Sequence, residues 1–253
     1  MRFLSHAAAA ALLASTTLAT ASTSIFFGED LNNSASVPLA STPNASAAEA
    51  DFLSNLTGIG TEDFEDFAAG EGEPLSLMFP GSVGTIGATL SGGSGFIRSV
   101  SAGSASFGRY GSSPTNYWEV EAGGQNNFTV TFDQTVAAFG FYGIDIGDFG
   151  GQLTLEVTRA NNVEETFTVD NTQGSGGSTD GSVLFFGIIE TDASAGFDSI
   201  SFLTTIGTGD VFAFDDFTVG DIDQIDPIPV PAAMPLLLGG LGAFAALRRR
   251  QRG

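Results

Sequence analysis

The chain has 253 residues, no cysteine and no lysine, and 8 basic against 29 acidic side chains give a formal net charge of −21. With a single histidine, His6, beside the N-terminus, these absences exclude disulfides, thiolate or imidazole zinc sites, histidine-assisted Ser or Cys nucleophiles, Schiff-base chemistry and lysine phosphate cradles. So acidic a surface also repels nucleic acid and anionic membranes.

In chain order, residues 1–21 read as a secretory signal peptide. Arg2 supplies a positive start, Ala7 to Leu18 an apolar stretch, and Ala19-Thr20-Ala21 a small-x-small cleavage site for signal peptidase. No cysteine follows to make a lipoprotein. Residues 22–57 are rich in Ser, Ala, Asn, Thr and Pro and read as a low-complexity linker. A short helix is expected within it over Ala47 to Leu56.

Residues 58–221 read as one all-β domain, an antiparallel β-sandwich or jelly roll. Phe128 to Phe132 and Leu153 to Val157 alternate apolar and polar with the period of a half-buried strand. Further strands are expected over Val136–Tyr142, Thr166–Val169, Val183–Ile189, Ile200–Leu203 and Val211–Val219, separated by Gly-, Asn- and Asp-rich turns. The aromatic set is 23 Phe against 3 Tyr and 1 Trp. Rings without a polar handle suit the space between two sheets and explain folding without disulfides.

Three constellations could carry chemistry. In Val211–Val219, period-two alternation puts either Asp215 or Asp216 among apolar neighbours, so that carboxylate needs donors or a cation. By analogy with sandwich domains that hold an ion between an early strand and the last, Glu65 with Asp215 or Asp216 is a candidate structural calcium site. Calcium takes oxygen ligands, the type this chain offers. The alternatives are hydrogen bonding to backbone amides, or a β-bulge that turns both acids outward. Asp145 and Asp148, next to Gly147, Gly150 and Gly151, form a second candidate metal loop. Its alternative is a hairpin turn that uses Asp and Gly for their geometry. Finally Tyr110, Tyr117 and Trp118 cluster beside Arg109, with Tyr142 further on, as a candidate sugar-stacking patch; core packing is the alternative. No catalytic residues stand out, since 29 acids always supply some carboxylate pair.

The C-terminal segment 222–253 is patterned like the N-terminus. Ile228-Pro229-Val230-Pro231-Ala232 leads into an apolar run ending at Leu247, then Arg248, Arg249, Arg250 and Arg252. Residues 232–247 as a helix would span about 24 Å, and acids before it with arginines after it orient it N-outside, C-inside. This proline-paired motif, short apolar helix and arginine cluster resemble the PEP-CTERM class of sorting tails, closest to the variant reading Val-Pro-Leu-Pro-Ala. The resemblance implies a precursor tethered in the inner membrane and processed near the motif by an exosortase-type enzyme. Release to the cell surface would follow, in bacteria that make extracellular polysaccharide.

The middle resembles exported proteins of unknown function that carry the same tail. The matching stretches are Gly58 to Glu65, Gly108 to Gly111, Asn116 to Trp118, Phe139 to Phe149 and Phe214 to Phe217. Together these readings predict an exported cell-surface or matrix protein that is not an enzyme and associates with extracellular polysaccharide. The alternatives are a glycosidase built on a carboxylate pair, and a tail-anchored envelope protein that binds another protein.

Overall fold

The computed structural model describes residues 23–121, 128–175, 178–204 and 210–226. The signal peptide expected over 1–21, the sorting motif Ile228 to Ala232, the membrane helix 232–247 and the arginine cluster lie outside the described residues. Among those residues, no helix is long and apolar enough to cross a membrane.

In chain order the strands are β1 (Thr23–Asp30), β2 (Gly60–Glu62), β3 (Leu75–Pro80), β4 (Thr85–Gly92), β5 (Phe96–Ser99), β6 (Asn116–Glu121), β7 (Phe128–Val136), β8 (Ala138–Ile144), β9 (Leu153–Arg159), β10 (Glu164–Thr168), β11 (Val183–Glu190), β12 (Phe197–Thr204) and β13 (Val211–Gly220); helix α1 (Pro43–Leu53) lies between β1 and β2. They form two antiparallel sheets. The first runs β1-β11-β8-β13-β6-β5, with β2 paired to the later half of β13, and the second runs β10-β9-β12-β7-β4-β3.

The two sheets differ in pattern because they differ in cover. The second sheet buries one face, so β3, β7 and β9 alternate: Leu75, Leu77 and Phe79, then Phe128, Val130 and Phe132, then Leu153, Leu155 and Val157 point inward. The first sheet is covered on both faces, and its central strands β8 and β11 are buried at every residue. Their sequences, Ala138-Phe-Gly-Phe-Tyr-Gly-Ile144 and Val183-Leu-Phe-Phe-Gly-Ile-Ile189, are accordingly near-continuous apolar runs. The Phe-rich core lies between the sheets. A second apolar layer lies between the outer face of the first sheet and α1 with its neighbouring loops.

That second layer corrects the expected domain limits. Residues 23–57 of the expected 22–57 linker are not a linker: Thr23–Asp30 pairs along its whole length with β11, and α1 packs behind it. The helix also starts earlier than expected, at Pro43. Its own cap position, Thr42, makes no side-chain capping bond; instead Asp30 Oδ2 accepts hydrogen bonds from the N–H groups of Asn44 (3.0 Å) and Ala45 (2.9 Å). A carboxylate there satisfies orphan donors and complements the helix dipole. At the other end the fold continues past 221, because Asp221 and Gln224 cap a 3₁₀ turn reciprocally and Leu56 bridges Ile225.

Phe52 shows why β8 and β11 contain glycine. Gly140 and Gly187 are cross-strand partners, and a Cβ on either would lie 2.8 Å or 2.6 Å from the Phe52 ring. The ring fills the notch that the two glycines leave. Gly187→Ala is expected to cost about 1–3 kcal/mol through overpacking. Urea melts check this, and the cost should shrink in a Phe52→Leu background, where the ring is gone.

The acid conflict in β13 is resolved by a bulge. The register with β8 shifts between Asp215 and Thr218, and Asp216 takes φ 52°. One extra residue changes the phase, so Phe212, Phe214, Phe217 and Val219 all reach the inter-sheet core.

Candidate functional site

Two features of the first sheet's outer side bear on function: an open cavity and a buried acid group. The cavity, of about 510 Å³, is lined by α1, the segment before it, the loops over 100–104 and 110–114, Tyr142 and Asp216. Its walls are rich in hydroxyls, including Ser41, Ser46 and Ser112, and among its lining residues there is no cation. Two carboxylates face it. Glu49 accepts a hydrogen bond from Tyr142 Oη at 2.8 Å. Asp216 accepts from the hydroxyls of Ser112 at 2.8 Å and Ser113 at 2.6 Å. Burial raises both carboxyls above their ordinary range, and these hydrogen bonds pull each part of the way back.

The expected aromatic patch is divided by the sheet. Tyr110 and Tyr142 line the cavity, with Tyr110 donating to Gly181 O (2.8 Å) and accepting from Leu39 N (3.2 Å). Tyr117 is buried in the apolar layer on the same side, its hydroxyl toward Glu119. Trp118 is a correction. Adjacent strand residues face opposite ways, so Trp118 enters the inter-sheet core, where its ring packs on Gly95 and Phe128 and offers no stacking face. Arg109 is committed to Glu119 (3.0 Å) and Asp145 (3.4 Å).

The calcium site expected from Glu65 with Asp215 or Asp216 is also corrected. Glu65 accepts from the N–H groups of Thr115 (2.8 Å) and Asn116 (2.6 Å) and from the Thr115 hydroxyl (2.8 Å), so it caps the start of β6. Burial raises its carboxyl, but those hydrogen bonds outweigh it and leave the group below its ordinary value. Asp215 is fully buried and accepts from Ser112 Oγ (3.0 Å) and Ser113 N (3.1 Å). Burial and the neighbouring Asp216 hold it well above the ordinary range. Donors already satisfy these acids. Of the alternatives to an ion, bonding to backbone amides is present; the bulge is there too, but it leaves Asp215 fully buried and does not turn both acids outward.

The second candidate is different. Asp145 and Asp148 come together with Asp180, one oxygen of each within 4.8 Å of the others, the grouping that could hold a metal among the described residues. The strand order explains the meeting: the end of β8 pairs with the start of β11 (Ile144 with Val183) and with the start of β13 (Ala213). The turns after β8 and before β11 therefore close on one another, and Asp210 enters from the segment before β13. Asp180 and Asp210 were missed in the sequence because each reads locally as a turn residue beside glycine.

Burial pushes the Asp145 carboxyl up to about 6, against hydrogen bonds from Gly181 and Arg109. Burial and neighbouring acids push Asp148 up to about 8, and burial with Asp145 nearby pushes Asp210 up to about 7. A raised carboxyl means the folded state binds more protons than the unfolded state between the two values, so stability falls as pH rises there. In chelator, the melting temperature is expected to fall as pH rises through about 6 to about 8. A flat profile in differential scanning calorimetry over that window would contradict this.

No protein-family model matches the chain, and neither does any curated protein. Among solved structures it is similar to the K1 cleaved adhesin domain of Lys-gingipain from Porphyromonas gingivalis W83, at 12% identity and TM-score 0.35 over 64% of this chain and 98% of that one. It is also similar to the CBM22-1 xylan-binding domain of Paenibacillus barcinonensis Xyn10C, at 14% identity and TM-score 0.32 over 60% and 96%. A third is the family 11 carbohydrate-binding module of Clostridium thermocellum Lic26A-Cel5E, at 12% identity and TM-score 0.29 over 65% and 95%. At such identities and TM-scores, the likeness says nothing about what this chain binds.

Proposed function

We propose that this chain is an exported, non-enzymatic surface or matrix β-sandwich that binds a neutral, hydroxyl-rich polysaccharide in the cavity over its first sheet. The single observation that carries the reading is the cavity's chemistry. Hydroxyls, two tyrosines and two carboxylate acceptors suit a ligand that donates and accepts many weak hydrogen bonds, while the absence of a lining cation disfavours an anionic one. Export, tethering and exosortase-type processing rest on the terminal segments and their resemblance. The calcium read from the sequence belongs to this proposal at the Asp145–Asp148 turn.

The purified protein is expected to be retained on immobilised neutral glycans and not on polyanionic ones. Tyr142→Ala should weaken retention by about tenfold, as loss of one ring-and-hydroxyl contact does. No retention on any glycan would overturn the reading. Mass spectrometry of protein from cells should find a C-terminus between Ile228 and Ala232; an intact arginine cluster would make the tail a plain anchor.

A second reading, a glycosidase, is favoured by one observation: Glu49 and Asp216 face the same cavity with raised carboxyls. Against it, both oxygens of Asp216 are held by serine hydroxyls. Release of reducing sugar that Glu49→Gln abolishes would establish it.

A further inference from the structure

Where the turns around β8, β11 and β13 meet, four carboxylates converge and too few donors reach them. Asp145, Asp148 and Asp180 lie within shared reach of one point. Asp210 joins them, close enough to Asp148 and Asp145 to act on both, as Asp180 acts on Asp148. Two carboxyl groups meet in this way only across a shared proton or a cation. Oδ1 of Asp148 and Oδ2 of Asp210 are buried with no hydrogen-bond partner, on residues only 4% and 5% exposed. Among the described residues, the cation that touches the group is Arg109, and Glu119 shares it. Glu65, Asp215 and Asp216, by contrast, are met by amides and hydroxyls. The orphaned oxygens separate a site that lacks something from acids that lack nothing.

We propose that a divalent cation, calcium by its chemistry, binds among Asp145, Asp148, Asp180 and Asp210 and fastens the loops that carry them. This rests on the reading of the Asp145–Asp148 turn as a calcium site, and adds two ligands and a mechanical role. The donors are all oxygens, several of them carboxylate, from separate loops; that suits the large and variable shell of calcium better than the tight octahedron of magnesium. Some oxygens are already committed: Asp145 Oδ1 accepts from Gly181 N (2.8 Å) and Asp210 Oδ1 from Val211 N (2.8 Å), which aims the remaining oxygens of these acids. The backbone is formed around the group too, because Asp145 takes φ 64° and Gly108 packs where a Cβ would lie 2.1 Å from its carboxylate. Gly181 then links ion to cavity, its N–H donating to Asp145 and its carbonyl accepting from the Tyr110 hydroxyl.

The test is calorimetry of the purified protein in chelator and in calcium chloride, with terbium luminescence as a direct reading of binding. At a hundredfold excess of calcium over Kd, the melting temperature should rise by roughly 5–10 °C, and magnesium should do far less. Asp148→Asn and Asp210→Asn should raise the melting temperature in chelator, by relieving repulsion, yet lose the calcium response and the terbium signal. Glu164→Gln on exposed β10 should keep both. Terbium binding with no rise in melting temperature would overturn the fastening role and leave an ion site. No binding to wild type would overturn the site itself, with the shared proton as the occupant. Neither outcome touches glycan retention, which is read separately.

Discussion

Phe202→Ala is expected to destabilise the protein by about 3–5 kcal/mol, a large share of the ~5–15 kcal/mol that a domain of this kind holds. Phe202 sits on β12 at the centre of the inter-sheet core. Its ring stacks on Phe128 with centroids 4.2 Å apart, and meets Phe141 at 5.0 Å and Phe214 at 5.1 Å edge-on. Phe139 and Phe217 complete the surround. Truncation therefore removes transfer energy and several ring contacts at once, and leaves a void that rigid neighbours on two sheets cannot collapse into. Met78→Ala, on the solvent face of β3, should stay within about 0.5 kcal/mol. Equilibrium urea unfolding of the two variants reads the difference, and equal midpoints would mean that the Phe cluster is not what holds the sheets together.

The second large effect is expected at Arg159, a buried arginine that staples the two sheets together. It ends β9 in the second sheet, and its guanidinium reaches Glu190 at the end of β11 in the first, 2.6 Å away. It also donates to Glu165 and to the carbonyl of Ala195, and lies 5.9 Å over the Phe167 ring. Arg159→Met leaves the Glu190 carboxylate, with 1% of its side chain exposed, without its cation and held by the Thr23 hydroxyl. An uncompensated buried charge costs about 3–5 kcal/mol, more than the intact pair contributes, since its desolvation roughly cancels its attraction. The double variant Arg159→Met with Glu190→Leu should thus recover most of the loss. If the double variant is as unstable as the single, packing and not the orphaned charge is the cause.

Much of the architecture was legible because the second half of the chain obeys simple periods. The strands expected from Phe128 onward appear at or near their predicted limits, since each carries Val, Ile, Leu or Phe at the core positions. The first half was less legible. β1 is a strand because β11 offers it an edge and α1 a cover, and its Ser- and Gly-containing sequence does not announce either. Strand β4 is rich in Gly, Ser and Thr that read locally as a turn, and β3, β5 and β6 are only four to six residues long. The candidate site divided along the same line. Asp145 and Asp148, three positions apart in one turn, could be paired by eye. Asp180 and Asp210 could not, because only the sheet order β11-β8-β13 brings their turns to the same end. Trp118 misled because clustering in sequence says nothing about which face of β6 a side chain takes.

The cavity over the first sheet is the proposed ligand site on which the function rests. Hydrogen-exchange mass spectrometry, with and without polysaccharide isolated from the producing cells, tests that most directly. Added protection is expected in peptides covering 38–46, 100–104 and 110–114, which line the cavity, and not in β3, β4 or β10 on the second sheet. Protection confined to the second sheet, or none at saturating polymer, would contradict it.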